Sequence, residues 1–122
     1  AIGDVYLYGL NDYSNSIITY NRFLEKYPYS KNIETAEYRL AESYYLMNNY
    51  TSAIDGFSRY ISKYTNSDFA DNALFNVADS YYKIDDYDSA INNFERLIKD
   101  YPKSELTNET LKYIDSIKRT GR

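Results

Sequence analysis

The chain has 122 residues and a formal net charge of −4. This length supports one domain with its own core, and the acidic balance does not favour a nucleic-acid partner, which would need a basic face. The sequence contains no His and no Cys, so the commonest general base and the commonest metal ligands are missing. We therefore expect no catalytic residue, no cofactor and no metal.

No apolar run approaches the roughly 18 residues that a membrane helix needs. We expect no membrane insertion in this segment. The chain begins without a signal peptide, and we expect it to be a processed or excised piece of a longer protein.

The sequence repeats itself with a period of 37 residues. Residues 31–67 and 68–104 are identical at 14 of 37 aligned positions, which is far above chance. Such a period indicates stacked supersecondary units that bury their apolar faces against one another.

Apolar residues recur within each unit at helical spacing. In chain order, the pattern predicts helices over about 2–10, 13–26, 32–47, 50–63, 69–84, 87–100 and 105–119. The stripes of the second unit are Ala36, Leu40, Ala41 and Tyr44, then Ala53, Ile54, Phe57 and Ile61. The third unit repeats them as Ala73, Val77, Ala78 and Tyr81, then Ala90, Ile91, Phe94 and Ile98. We interpret Tyr44 and Tyr81 as core residues.

Polar pairs separate the two helices of each unit. These pairs are Asn11–Asp12, Asn48–Asn49 and Asp85–Asp86, and Asn and Asp favour tight turns. Pro28 and Pro102 are expected to end the second helices, and Ser30, Ser67 and Ser104 to act as N-caps nearby. Asp85, Asp86 and Asp88 could suggest a calcium loop, but the Gly and the distal Glu of such loops are absent, so turn chemistry is the better interpretation.

The last predicted helix has Leu111, Ile114 and Ile117 on one face. We interpret it as a cap on the last repeat, or as half of a further one. The chain is thus predicted to be a single domain over 1–122, with repeats over about 1–30, 31–67 and 68–104 and a capping helix over about 105–119.

Two motifs carry a family resemblance. They are Leu40-Ala41-x-x-Tyr44-Tyr45 followed by Asn49-Tyr50-x-x-Ala53-Ile54-x-x-Phe57, and Ala78-x-x-Tyr81-Tyr82 followed by Asp86-Tyr87-x-x-Ala90-Ile91-x-x-Phe94. Both resemble the tetratricopeptide repeat, although the period is longer than the usual one. A second-helix site that is usually Ala is Phe23, Tyr60 or Leu97 here, and the first unit has Ser16 where later units have Ala. The resemblance implies an all-α, right-handed superhelical solenoid of about three hairpins with a C-terminal capping helix.

The bulky second helix and the Tyr-Pro-x-Ser ending resemble a subset of bacterial cell-envelope repeat proteins. One type is the periplasmic tetratricopeptide protein of the Tol-Pal system, and another is the lipoprotein of the outer-membrane barrel-assembly machine. The three-unit extent favours the Tol-Pal type. This resemblance implies a periplasmic or outer-membrane-associated adaptor in a bacterium.

Tetratricopeptide domains commonly bind protein or peptide partners in the concave groove that their first helices line. The equivalent positions on those helices are therefore the candidate partner-binding residues. They are Tyr8, Tyr38, Arg39, Glu42, Tyr45, Asn72, Phe75, Asn76, Asp79, Tyr82, Lys112 and Tyr113.

Two other classes of function stay open. The repeats could be a rigid structural spacer in a larger protein. An enzyme that uses Glu42 and Asp79, which occupy equivalent positions on neighbouring helices, is the third hypothesis. The sequence does not indicate the partner's identity or the oligomeric state.

Overall fold

The computed structural model describes residues 12–121. Over this range the chain forms six α-helices and no strand. They are α1 (Tyr13–Lys26), α2 (Ile33–Leu46), α3 (Tyr50–Lys63), α4 (Ala70–Lys83), α5 (Tyr87–Asp100) and α6 (Thr107–Thr120). Each helix packs against the next one in the chain, and the architecture is the predicted all-α repeat solenoid.

The predicted helices agree closely with the observed ones. The bounds of α1, α3 and α5 are the predicted ones, and α2 and α4 are each one residue shorter at both ends. Helix α6 begins two residues later and ends one residue later than predicted. The helix predicted over about 2–10 lies outside the described residues.

The turns inside the hairpins are built from the predicted Asn and Asp residues. Asn48 and Asp85 have left-handed backbones with φ of 66° and 64°, a conformation that Asn and Asp tolerate better than most residues. The next residues, Asn49 and Asp86, cap α3 and α5 by accepting backbone N–H bonds at 3.3 and 3.2 Å. Asp12 caps α1 in the same way.

The loops between hairpins differ from the prediction. The N-caps of α2, α4 and α6 are Asn32, Phe69 and Leu106, and none of them makes a side-chain cap bond. The predicted serines lie two residues earlier, and each hydroxyl accepts the backbone N–H of that N-cap residue at 3.1 Å. They therefore stabilise the turn that leads into each helix, and the N-cap prediction is wrong.

Proline is not required to end the second helices. Helix α3 ends at Lys63, the position equivalent to the ends of α1 and α5, although Thr65 occupies the proline site. In all three helices the following Tyr is the C-cap, and its N–H donates to the carbonyl four residues back at 2.8–2.9 Å. Each helix ends because the backbone of this Tyr leaves helical geometry, with φ of −126° to −131° and ψ of 54° to 60°, and this happens with or without a following proline.

The core lies between the helices of successive hairpins. Phe57 and Phe94 are fully buried, as are the bulky Tyr60 and Leu97 that replace the usual Ala. Tyr44 and Tyr81 pack against this core while staying partly exposed, so they are core-flanking residues. A buried aromatic side chain contributes several kcal/mol, about 3–5 by truncation to Ala.

Small residues allow α2 to approach its neighbours. A Cβ added at Gly56 of α3 would lie 2.9 Å from the Cβ of Ala41. On the other side of α2, the buried Ser16 hydroxyl of α1 donates to the Ser43 hydroxyl at 3.0 Å. Ser16 therefore contacts the next hairpin from the position where later repeats have Ala.

The buried face of α6 differs from the predicted one. Ile117 and Thr110 are buried, but Leu111 is 48% exposed. Leu111 is equivalent to Leu74 of α4, which is fully buried against α3 and α5. Leu111 is exposed because no described helix follows α6 to cover it.

Candidate functional site

The first helices of successive hairpins contact one another directly. Tyr45 of α2 hydrogen-bonds to Asp79 of α4, and Tyr113 of α6 packs against Phe75 and Tyr82 of α4. Because these helices converge, they line the inner side of the solenoid. We define the inner groove as the predicted partner-binding positions on α2, α4 and α6.

Asp79 is the polar centre of the inner groove. It is 2% exposed, and its Oδ2 accepts the Tyr45 hydroxyl bond while the Lys83 Nζ lies 3.6 Å away. Its Oδ1 is buried and accepts no hydrogen bond from the described residues. Burial, followed by the hydrogen bond to Asp79, raises the pKa of Tyr45 well above its usual value. Asp79 thus holds Tyr45 across the boundary between two hairpins.

Tyr113 of α6 also lies close to Asp79 and to the aromatic rings of α4. Burial and then the Asp79 charge raise its pKa to about 12. Its ring stacks on Phe94 at 4.8 Å and meets the edges of Phe75 and Tyr82 at 5.7 and 5.5 Å. Such aromatic contacts contribute about 0.5–1.5 kcal/mol each beyond area burial, so the wall is rigid before any partner arrives.

Arg39 and Glu42 form a second polar pair on α2. The guanidinium donates to Glu42 Oε1 at 3.0 Å, and both side chains are partly buried. The same guanidinium lies over the rings of Tyr38 and Phe69, 5.4 and 5.7 Å from their centroids. This fixes a charged group at the rim with its orientation set by aromatic faces.

The predicted site residues differ in how much surface they offer. Asn72 and Lys112 are exposed, while the remaining ones on α2, α4 and α6 are partly buried, apart from Tyr38 and Asp79. Tyr38 is 5% exposed and stacks on Phe69 at 4.8 Å, so it belongs to the core and offers no ring to a partner. Tyr8 lies outside the described residues.

Two residues of the site were not predicted from the sequence. Phe69, in the loop before α4, fixes both Tyr38 and Arg39. Lys83 approaches Asp79 from one helical turn away. The contact between Lys83 and Asp79 could have been predicted, because residues at i, i+4 on a helix are neighbours. The role of Phe69 could not, because its equivalent in the previous unit is Asn32.

The acidic residues of the site do not form a recognisable catalytic or metal-binding arrangement. Glu42 pairs with Arg39, and Asp79 is covered by Tyr45. No group of three or more His, Cys, Asp or Glu residues within 12–121 could hold a metal ion. At the acidic turn, Asp85 accepts the Tyr87 hydroxyl bond at 2.9 Å and Asp86 caps α5.

Comparisons with known proteins extend this description. The family model described as "YfiO: Outer membrane lipoprotein" matches residues 7–120. No curated protein matches the chain. None of the helices in the described part of the chain is both long and apolar enough to span a membrane. The family match supports the outer-membrane lipoprotein resemblance and gives no support to the Tol-Pal type that the repeat number favoured.

Proposed function

Because the chain belongs to the YfiO outer membrane lipoprotein family, we propose that it is a non-catalytic repeat module of a barrel-assembly-type lipoprotein that binds a protein or peptide partner in its inner groove. Membership of this family makes the chain periplasmic or outer-membrane-associated. A Tol-Pal-like adaptor, the first expectation from the repeat number, is the less supported assignment.

The observation that carries the proposal is the preorganised aromatic and polar wall around Asp79. Its side chains are already fixed by one another, through the Tyr45–Asp79 bond and the ring contacts of Tyr113. When a partner docks there, few side chains of the inner groove have to be ordered. Ordering a flexible side chain at an interface otherwise costs about 0.5–1.5 kcal/mol. Partly exposed aromatic rings beside fixed polar groups are the composition of binding hot spots.

The proposal predicts where a partner contacts the chain. A photo-crosslinking amino acid placed at Asn72 or Lys112, the exposed positions of the inner groove, should capture a partner from envelope extract. We expect mass spectrometry to identify a component of outer-membrane barrel assembly. The same amino acid at Asn92, exposed on α5, is the matched control.

Substitutions within the inner groove provide a second test of the proposal. Tyr82→Ala combined with Lys112→Glu should weaken the captured interaction by about 2 kcal/mol, because truncating a hot-spot ring costs at least that much. Ser58→Ala with Arg96→Ala, on the exposed parts of α3 and α5, should leave it unchanged. Crosslinking of a partner at Asn92 alone, or loss of binding only in the Ser58→Ala, Arg96→Ala variant, would show that the partner binds the outer side and would refute the proposal.

A further inference from the structure

A second concavity lies away from the inner groove, between α1 and α3 and above α2. We call it the outer pocket, and its volume is about 520 Å³. Leu24, Ile33, Leu40 and Tyr44 supply its apolar surface. Gly56 and Ala41 also line it, and their small size leaves room that larger residues would fill.

The repeat provides an internal comparison for this pocket. One period later, between α3 and α5, the position of Glu37 is occupied by Leu74, which is fully buried against Ile61 and Leu97. The position of Gly56 is occupied by Asn93. The same inter-hairpin boundary is therefore filled by apolar side chains in one place and left open in the other. The opening follows from particular residues, since the two boundaries share one architecture.

The rim of the outer pocket is charged and rich in hydrogen-bond donors. Lys63 donates to both oxygens of Glu37 at 3.1 Å, and Arg59 pairs with Asp55. The two cations stay 58% and 75% exposed. A guanidinium has five N–H donors and an ammonium three, so both cations keep donors that can reach a second acceptor.

Glu37 is the less available of the two acidic groups. Its side chain is 18% exposed and also accepts a bond from the Tyr64 hydroxyl at 3.2 Å. Asp55 is 61% exposed and accepts a bond from one guanidinium nitrogen of Arg59, so the other N–H donors of Arg59 and the exposed ammonium of Lys63 face solvent beside an apolar floor. Such a surface complements an apolar group that is accompanied by carboxylate or carbonyl oxygens.

We propose that the outer pocket binds a peptide segment of a partner protein in which an aliphatic side chain is flanked by acidic residues. The aliphatic side chain fills the space beside Gly56, and the flanking carboxylates accept bonds from Arg59 and Lys63. The wall from Ser52 to Lys63 is about 16 Å long at the helical rise per residue, which matches about five extended residues. This site is independent of the inner groove and of the partner proposed for it.

The test uses defined peptides and the whole chain. Methyl-labelled protein is titrated by NMR with the capped pentapeptide Gly-Asp-Leu-Asp-Gly, and with versions that carry Lys in place of Asp or Ala in place of Leu. We expect the acidic leucine peptide to shift the methyl signals of Leu24, Ile33 and Leu40. The lysine and alanine versions should each bind at least about tenfold more weakly, which corresponds to about 1.4 kcal/mol.

The repeat supplies matched variants for both features of the site. Arg59→Glu should raise the Kd about tenfold through charge reversal, while Arg96→Glu, at the equivalent position of α5, leaves it unchanged. Ser52→Trp should fill the pocket and abolish the shifts, and Ser89→Trp is its equivalent control.

Three results would overturn the proposal. The first is the absence of methyl shifts at millimolar peptide, and the second is equal weakening by Arg59→Glu and Arg96→Glu. The third is a dimer in light scattering that Ser52→Trp dissociates and Ser89→Trp does not, because a second copy of the chain would then occupy the pocket.

Discussion

The hydrogen bond between Tyr45 and Asp79 offers a direct test of what holds α2 against α4 in the inner groove. Tyr45→Phe removes one hydroxyl and leaves the ring in place, so no substantial cavity forms. A hydrogen bond to a charged group contributes about 1.5–3 kcal/mol. Lys83, only 3.6 Å from the same carboxylate oxygen and 43% exposed, can move closer and recover part of this. We therefore expect a loss of about 1.5 kcal/mol in the free energy of unfolding.

Urea denaturation followed by circular dichroism measures this loss, and the melting temperature should fall by about 6 °C. The matched control is Tyr82→Phe, one period later, whose hydroxyl has no hydrogen bond to another residue within 12–121 in the structure. In an Asp79→Leu background, Tyr45→Phe should cost less than about 0.5 kcal/mol, because the charged acceptor is gone. Equal losses for Tyr45→Phe and Tyr82→Phe would refute the role given to Asp79.

Other properties of the fold can be tested in the same way. Ala90→Leu should overpack the hairpin of α4 and α5, where Ala90 is fully buried, and cost about 1–3 kcal/mol in urea denaturation; a variant as stable as the parent would contradict the helix pairing. Burial and neighbouring carboxylates raise the pKa of Tyr64 and Tyr113 from 10.0 to about 12, so both groups hold their protons more tightly in the folded state. Their contribution is complete below pH 10 and is lost as pH rises from 10 to 12; urea midpoints should fall across this window, and less steeply in Tyr113→Phe. Millimolar calcium should not raise the melting temperature, since the acidic turn at 85–88 uses its carboxylates as turn and cap acceptors; a clear rise would contradict this.

Helix bounds were predictable because local chemistry sets both ends of the second helices. An Asn or Asp cap begins each of them, and a Tyr C-cap follows the last residue. These signals recur every 37 residues, so one unit predicts the next. The serine caps were misplaced because a hydroxyl that accepts the N–H two residues later, within the preceding turn, cannot be told from a true cap by sequence position alone.

The candidate site was less predictable because helix phase does not determine burial. Tyr38 and Phe75 are equivalent by sequence, yet the ring of Tyr38 is covered by the stacked ring of Phe69. The position that would cover Phe75 in the same way, one period after Phe69, holds the non-aromatic Leu106. The expected burial of Leu111 was wrong for the opposite reason. Its equivalent Leu74 is buried by the helix that follows, and the apolar stripe of a single helix does not indicate whether such a neighbour is there.

The unequal filling of the two inter-hairpin boundaries has a mechanical consequence. Between α2 and α4 the Tyr45–Asp79 bond ties neighbouring hairpins together on the inner side, and Leu74 fills the space behind them. At the boundary between the first two hairpins, Glu37 and Gly56 leave the outer pocket open. A stack of this kind behaves as an elastic rod whose stiffness varies along its length, because each repeat contacts only its neighbours. Bending should concentrate at the open boundary, so that α1 moves more easily against α2 and α3 than α3 moves against α4 and α5.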